Sequence, residues 1–105
     1  MILRDIAHVR TGDKGDISQI AVFAYRPDDY PLLLASVTPE RVAAHLGRLR
    51  SRTITRYELP GLLAVNLILE GALLGGVTRS LALDAHGKTL GAQLLDLPIS
   101  PGDPP

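Results

Sequence analysis

The sequence predicts a two-layer α+β domain in which helices pack on one face of a single sheet. A chain of 105 residues has the size of one domain with one core. Along the chain, its short apolar runs predict a strand, a strand, a helix, a strand, a helix, a strand and a final element. Because 46% of the residues are apolar and only 4% aromatic, the core is aliphatic, which leaves room for stabilisation by a partner.

The composition excludes several classes of function. Eleven basic and eleven acidic residues cancel, so the chain lacks the positive surface of a nucleic-acid-binding protein. Because there is no cysteine, disulfides and thiolate metal sites are excluded. The N-terminus has no signal-peptide pattern and no apolar run is long enough to cross a bilayer, so we expect a soluble cytoplasmic protein without a membrane partner.

Two strands are expected near the N-terminus. Residues 3–9 are short and apolar, and residues 18–25 carry apolar side chains on both faces, which is typical of a central strand. Residues 10–16 lie between them and combine two glycines with four charged side chains. This stretch is longer than a tight hairpin turn, so we expect a loop that projects from one end of the sheet and suits a ligand.

One helix start is well marked. Thr38 is a suitable N-cap and Pro39 suits the first helical position, so the helix is expected to run to about Leu46 and to stop at Gly47. Residues 32–34 return to the core either as a short helix or as extended chain.

The second half of the chain is predicted to contain two strands and a helix. Residues 53–59 alternate like an edge strand with one wetter face. Residues 62–74 are almost continuously apolar, and their length favours a buried helix. Residues 77–84 form the next strand, residues 89–97 fit either a helix or a closing strand, and the Pro-rich stretch 98–105 is expected to be loose.

Three blocks of sequence carry a family resemblance. They are RTGDKGD at 10–16, YELP at 57–60 with Asn66 following, and GGVTRSL at 75–81 leading to Asp84 and GKT at 87–89. In order and spacing they resemble the ferredoxin-like domain at the C-terminal end of acyclic terpene utilisation protein A (AtuA), over about residues 3–99. The resemblance implies one AtuA-like ferredoxin-fold domain at 1–99, a mainly antiparallel sheet with helices on one face, and a flexible tail at 100–105.

The resemblance also implies a biological context. The family is associated with breakdown of acyclic isoprenoids through coenzyme A thioesters, and its larger members carry a long N-terminal domain. Met1 stands directly before the first predicted strand, so we expect that domain to be absent or separately encoded, and then to be a partner. "Ferredoxin-like" names the fold only, and without cysteine no iron–sulfur cluster or other cofactor is expected.

The 10–16 stretch supports two interpretations. In the functional one, backbone N–H groups near Gly12 and Gly15 form an anion-binding nest, and Arg10 and Lys14 add positive charge for a phosphate or carboxylate. In the structural one, which is the commoner use of such turns, the aspartates bind the loop's own backbone and pair with Arg10 or Arg79. The glycine spacing is not that of a Walker motif.

Arg79 and Asn66 raise the same question further along the chain. A charge at Arg79, among apolar neighbours, needs either water or a carboxylate, which Asp13, Asp16, Glu70 or a bound acid could supply. Asn66 either hydrogen-bonds a loop backbone, which is favoured, or orients a substrate. The candidate ligand-binding residues are Arg10, Thr11, Gly12, Asp13, Lys14, Gly15, Asp16, Asn66, Gly75, Gly76 and Arg79.

No catalytic constellation is evident in the sequence. His8, His45 and His86 lack metal-ligand spacing, and the chain has neither a thiol nor a nucleophile elbow. The first hypothesis is a non-catalytic assembly or accessory domain that binds itself or a separately encoded AtuA-like partner in isoprenoid or acyl-CoA catabolism. The alternative is a small enzyme or ligand-binding protein that recognises a carboxylate or phosphate, acyl-CoA among them, between residues 10–16 and Arg79.

Overall fold

A computed structural model of the chain describes residues 1–14, 17–46, 53–70 and 91–99. The strands are β1 (Ala7–Lys14), β2 (Ile17–Ala24), β3 (Thr53–Leu59) and β4 (Ala64–Glu70), and the longer helices are α1 (Tyr30–Ser36) and α2 (Pro39–His45). Three short 3₁₀ helices, at Leu3–Asp5, Pro27–Asp29 and Pro60–Leu62, and a helical turn at 91–94 complete the described secondary structure.

The four strands form one antiparallel sheet in the spatial order β1-β2-β4-β3. Each outer pair is a hairpin, and α1 and α2 lie in the connection from β2 to β3. This topology makes β2 and β4 the central strands. The predictions of a central strand at 18–25 and an edge strand at 53–59 are therefore confirmed within the described sheet.

The helices cover one face of the sheet. Alternate residues of the two central strands, among them Ile20, Val22 and Leu67, are fully buried and belong to one core with Leu33 of α1 and Val42 of α2. Each large aliphatic side chain buried in this way contributes about 1.5–3 kcal/mol. We call this side of the sheet the helix-packed face, and the two-layer α+β prediction is confirmed.

The helix predicted at Thr38 is also confirmed. The Thr38 hydroxyl oxygen accepts a hydrogen bond from the Arg41 backbone N–H at 3.2 Å, and Pro39 is the first residue of α2. The open choice for residues 32–34 is decided in favour of a helix, α1, whose Leu33 is buried. The predicted stop at Gly47 lies outside the described residues.

The prediction of a strand at 3–9 followed by a loop at 10–16 is confirmed for residues 7–9 and wrong for residues 3–5 and 10–14, and residues 15–16 lie outside the described residues. Leu3–Asp5 is a 3₁₀ helix, and β1 continues through Arg10 to Lys14, which lies opposite Ile17 in β2. The physical reason is that eight cross-strand pairs with β2 outweigh the weak turn preference of Gly and Asp. Gly12 itself does not adopt a left-handed φ.

The buried helix predicted at 62–74 is wrong as well. Residues 60–62 form a 3₁₀ turn, Leu63 adopts the left-handed conformation (φ 54°), and β4 follows. β4 has a neighbouring strand on each side and carries apolar residues on both faces, so its sequence is a nearly continuous apolar run. Such a run does not distinguish a strand from a buried helix, and its length suggested the wrong element. Residues 71–74 lie outside the described part of the chain.

The C-terminal element contains part of each predicted alternative. Residues 91–94 form a helical turn, and the chain beyond it bridges back to Ile2 through Pro98. The Ile99 N–H donates to the Met1 carbonyl at 2.8 Å, and Ile99 is only 2% exposed. The prediction that the chain is loose from Pro98 onward is therefore wrong for Pro98 and Ile99.

Several expectations fall outside the described ranges. They are the flexible tail at 100–105 and the strand at 77–84. Among the described residues, no helix is long and apolar enough to cross a membrane.

Candidate functional site

The side of the sheet opposite α1 and α2 is uncovered by any described helix, and we call it the open face. Because strand side chains alternate, it takes every second residue of each strand. Its main members are His8, Arg10, Gly12, Ile17, Gln19, Ala21, Phe23, Asn66, Ile68, Thr55, Tyr57 and Leu59. Apart from Ala64, the buried core residues of the strands point the other way.

Two of the predicted site residues meet on this face. Arg10 pairs with Ala21, Ala21 pairs with Asn66, and Asn66 pairs with Tyr57, so the four residues form one row across the sheet. With a strand spacing of ~4.8 Å, the Cα atoms of Arg10 and Asn66 are about 10 Å apart. Only the methyl group of Ala21 stands between them.

The polar side chains of this row are not used by the described fold. Arg10 is exposed and Asn66 is half-buried, and neither forms a side-chain hydrogen bond or ion pair within the described ranges. The favoured interpretation of Asn66, a hydrogen bond to a loop backbone, therefore finds no support there, and its premise of a helix is wrong. Both side chains therefore keep hydrogen-bonding groups that the described residues do not use.

The backbone nest predicted for residues 10–16 is not formed by Arg10 to Lys14. These residues are extended, so successive N–H groups point to opposite sides of β1 and cannot converge on one anion. Thr11 lies on the helix-packed face, where its methyl group faces Gly91. Of Asp13 and Lys14 only the strand backbone is described, with Asp13 opposite Ser18 and Lys14 opposite Ile17.

Four other predicted site residues lie outside the described residues. They are Gly15, Asp16, Gly75 and Gly76. Arg79 lies there too, so its meeting with the N-terminal segment stays a prediction.

An aromatic stack occupies one end of the open face. The His8 ring lies 5.1 Å from the Phe23 ring at 13° and 5.3 Å from the Tyr25 ring at 26°. Tyr25 is 59% exposed and Tyr57, two strands further along the sheet, is 55% exposed. The sequence pattern excludes His8 as a metal ligand and does not predict this stack. The signal it lacked was the β1–β2 register, which sets His8 opposite Phe23.

The sequence model of the AtuA ferredoxin-like domain matches residues 1–100. The chain belongs to the AtuA ferredoxin-like domain family. Neither the comparison with curated proteins nor that with solved structures gives a match.

Arg56 is a residue of this AtuA ferredoxin-like domain that sequence reasoning missed. The strand at 53–59 is predicted to have one wetter face, yet the Arg56 side chain reaches the helix-packed face. There Nη1 donates to the carbonyls of Leu34 and Val37 at 2.6 and 3.0 Å. Nη2 donates to Glu58 at 2.9 Å. No sequence signal marks this role, since it depends on where α1 ends in space.

The described part of this AtuA ferredoxin-like domain offers no metal centre. It contains no group of three His, Cys, Asp or Glu side chains that could hold an ion.

Ser18 is buried, and its hydroxyl has no hydrogen-bond partner in the described ranges. Because Ser18 lies on the helix-packed face, it is separated by the sheet from Arg10 and Asn66. The chemistry that the open face supports is therefore recognition by unpaired polar groups and exposed aromatic rings.

Proposed function

We propose that this chain is a non-catalytic assembly or accessory domain that docks through its open face. Its partner is a second copy or a separately encoded AtuA N-terminal domain, and its context is the catabolism of acyclic terpenes, isoprenoids or their acyl-CoA derivatives. The observation that supports the proposal most is the contrast between the two faces of the sheet. One is sealed by helices, whereas the other exposes aromatic and aliphatic side chains.

The exposed apolar side chains are concentrated on the strands. Tyr57 and Leu59 lie on β3, Ile17 begins β2 and Tyr25 follows its end. Exposed aromatic side chains favour protein contacts, because aromatic residues are enriched in the cores of such contacts. A sheet face is also rigid, so docking on it costs little conformational entropy.

Family membership supports the biological context. The match spans residues 1–100. The resemblance implies larger members in which this domain follows a long N-terminal one. A domain that is covalently attached in some members is suited to non-covalent docking where the two parts are separate chains.

The proposal is tested by purifying the chain from its native host and measuring the mass of the complex by light scattering at micromolar concentration. We expect a homo-oligomer or a complex with a larger AtuA-like protein. Tyr57→Glu should weaken that assembly at least about tenfold, because it buries a charge in an apolar contact. The matched control is Leu62→Glu, at a residue that is 62% exposed but lies in the β3–β4 connection.

A monomer that co-purifies with nothing would overturn the proposal. So would an assembly that tolerates Tyr57→Glu and Leu62→Glu equally, since the open face would then have no part in it. Circular dichroism of both variants verifies that each keeps the fold.

A further inference from the structure

We propose that the open face also carries a binding site for a small monocarboxylate, centred on Ala21. This goes beyond the assembly role, because it assigns a small ligand to polar residues of the same face. Arg10 and Asn66 flank Ala21 on the neighbouring strands, and Gln19 and Phe23 flank it along β2. We call these five residues the Ala21 depression.

The shape of the depression follows from the sheet register. Neighbouring strands are ~4.8 Å apart and residues two apart on one strand are about 7 Å apart, so four longer side chains surround one methyl group. Gly12 lies opposite Gln19 and has no side chain, so the wall of the depression is lower on that side. A Cβ placed at Gly12 would have no atom within 4 Å. Neither packing nor φ requires glycine at this position, whereas close approach of a ligand does.

The polar groups of the depression match a carboxylate. The Arg10 guanidinium presents paired N–H donors, which suit the two oxygens of a carboxylate, and the Asn66 amide adds a donor from the other side. Neither side chain has a partner within the described ranges, and Gln19 is likewise exposed and unpaired there. The Asn66 amide is half-buried on a central strand, so a bound acid would find its N–H donor in a fixed position beside Ala21.

The Phe23 ring determines which chemical group the ligand carries beside its carboxylate. Its ring is held on one side by the stack with His8, and it stands beside Ala21 at the apolar end of the depression. An acid with a short branched or planar hydrocarbon part can place its carboxylate between Arg10 and Asn66 and its apolar part against this ring. One guanidinium and two neutral amides favour a monoanion over a phosphate dianion.

The test is a titration of the full-length, isotope-labelled protein followed by NMR. The probes are benzoate and 3-methylbutanoate, with benzamide as the uncharged analogue and inorganic phosphate as the dianion. Since the site is shallow, we expect saturable shifts of the Asn66 and Gln19 side-chain amides with a Kd on the order of millimolar. Benzamide and phosphate should bind at least about tenfold more weakly.

Two variants with matched controls locate the site. Ala21→Leu fills the depression and should abolish binding, whereas Ala43→Leu, on an exposed position of α2, should not change it. Arg10→Gln should weaken binding about tenfold or more, whereas Arg26→Gln should leave it unchanged. Ala21 and Arg10 both lie outside the core, so these variants are expected to fold.

Absence of saturable shifts, or binding unaffected by Ala21→Leu, would overturn the proposal. Equal affinity for benzoate and benzamide would do the same, because the guanidinium would then be irrelevant. The oligomeric mass of each sample separates this failure from that of the assembly role. If no free acid binds but Arg10→Gln dissociates the complex, the carboxylate belongs to a protein partner, so the ligand proposal fails while the assembly role stands.

Discussion

The side chain of Arg56 extends from β3 on the helix-packed face and reaches the C-terminus of α1. A helix leaves its last carbonyls without intrahelical donors, and Arg56 donates to two such carbonyls, those of Leu34 and Val37. Its side chain is only 18% exposed, and Glu58 balances its charge. One arginine therefore joins an edge strand to a helix that precedes it by about twenty residues.

We predict that Arg56→Ala lowers the free energy of unfolding by about 2–3 kcal/mol, because it removes charged donors from two partly buried carbonyls. Urea denaturation followed by circular dichroism measures the change. Arg26→Ala is the control, since the Arg26–Asp28 ion pair is long (3.9 Å) and exposed and should be worth less than about 0.5 kcal/mol. Equal effects of the two substitutions would contradict the assigned role of Arg56.

At the scale of elements, the helical turn at 91–94 packs directly on β1. Gly91 is buried, and a Cβ at its position would lie 2.6 Å from Cγ2 of Thr11 and 3.3 Å from Cγ2 of Val9. Both neighbours are β-branched and cannot move away easily. Gly91 thus permits the turn to sit close to the strand, whereas Gly12 on the opposite face meets nothing.

The same substitution should therefore have different effects at these two glycines. We predict that Gly91→Ala costs about 1–2 kcal/mol, since overpacking exceeds the ~1 kcal/mol that alanine gains in a helix. Gly12→Ala should leave stability unchanged or raise it by up to about 1 kcal/mol. Thermal and urea unfolding of the two variants provide the comparison, and equal destabilisation by both substitutions would contradict the difference in their surroundings.

At the scale of the molecule, the C-terminal segment ties the N-terminus to α2. The backbones of Leu3 and Ile99 donate across the contact between the two ends of the described chain, to Leu97 and Met1, at 2.8 Å each. From α2, the Arg41 guanidinium donates to the carbonyl of Pro98 at 2.8 Å, and His45 Nε2 donates to the Gln93 carbonyl at 2.7 Å. Elements from both ends of the sequence thus share one core.

We predict that a chain ending at Asp96 loses more than about 3 kcal/mol of stability, because it no longer buries Leu97 and Ile99. A chain ending at Ile99 keeps these contacts and should unfold at nearly the same urea concentration as the full chain. The two truncations are compared by urea denaturation. A cooperative and equally stable protein ending at Asp96 would contradict the closure described above.

The family assignment and the α+β class followed from the sequence because both depend on local patterns. The cap at Thr38, the alternation in 53–59 and the central character of 18–25 are set by neighbouring residues, so they were predicted correctly. The extent of β1 and the strand identity of β4 depend on pairing with distant residues. Glycine and aspartate in one case, and a continuous apolar run in the other, suggested local structures that this pairing overrode.

For the candidate site, the sequence by itself determined which residue types were available: four charged side chains at 10–16, an amide at Asn66 and no thiol. Tertiary structure alone decided which of them meet, because the register of β1, β2 and β4 sets Arg10 and Asn66 on either side of Ala21 and turns Thr11 to the opposite face. Side chains alternate with a period of two along a strand, so a face is defined only when the strand and its partners are known.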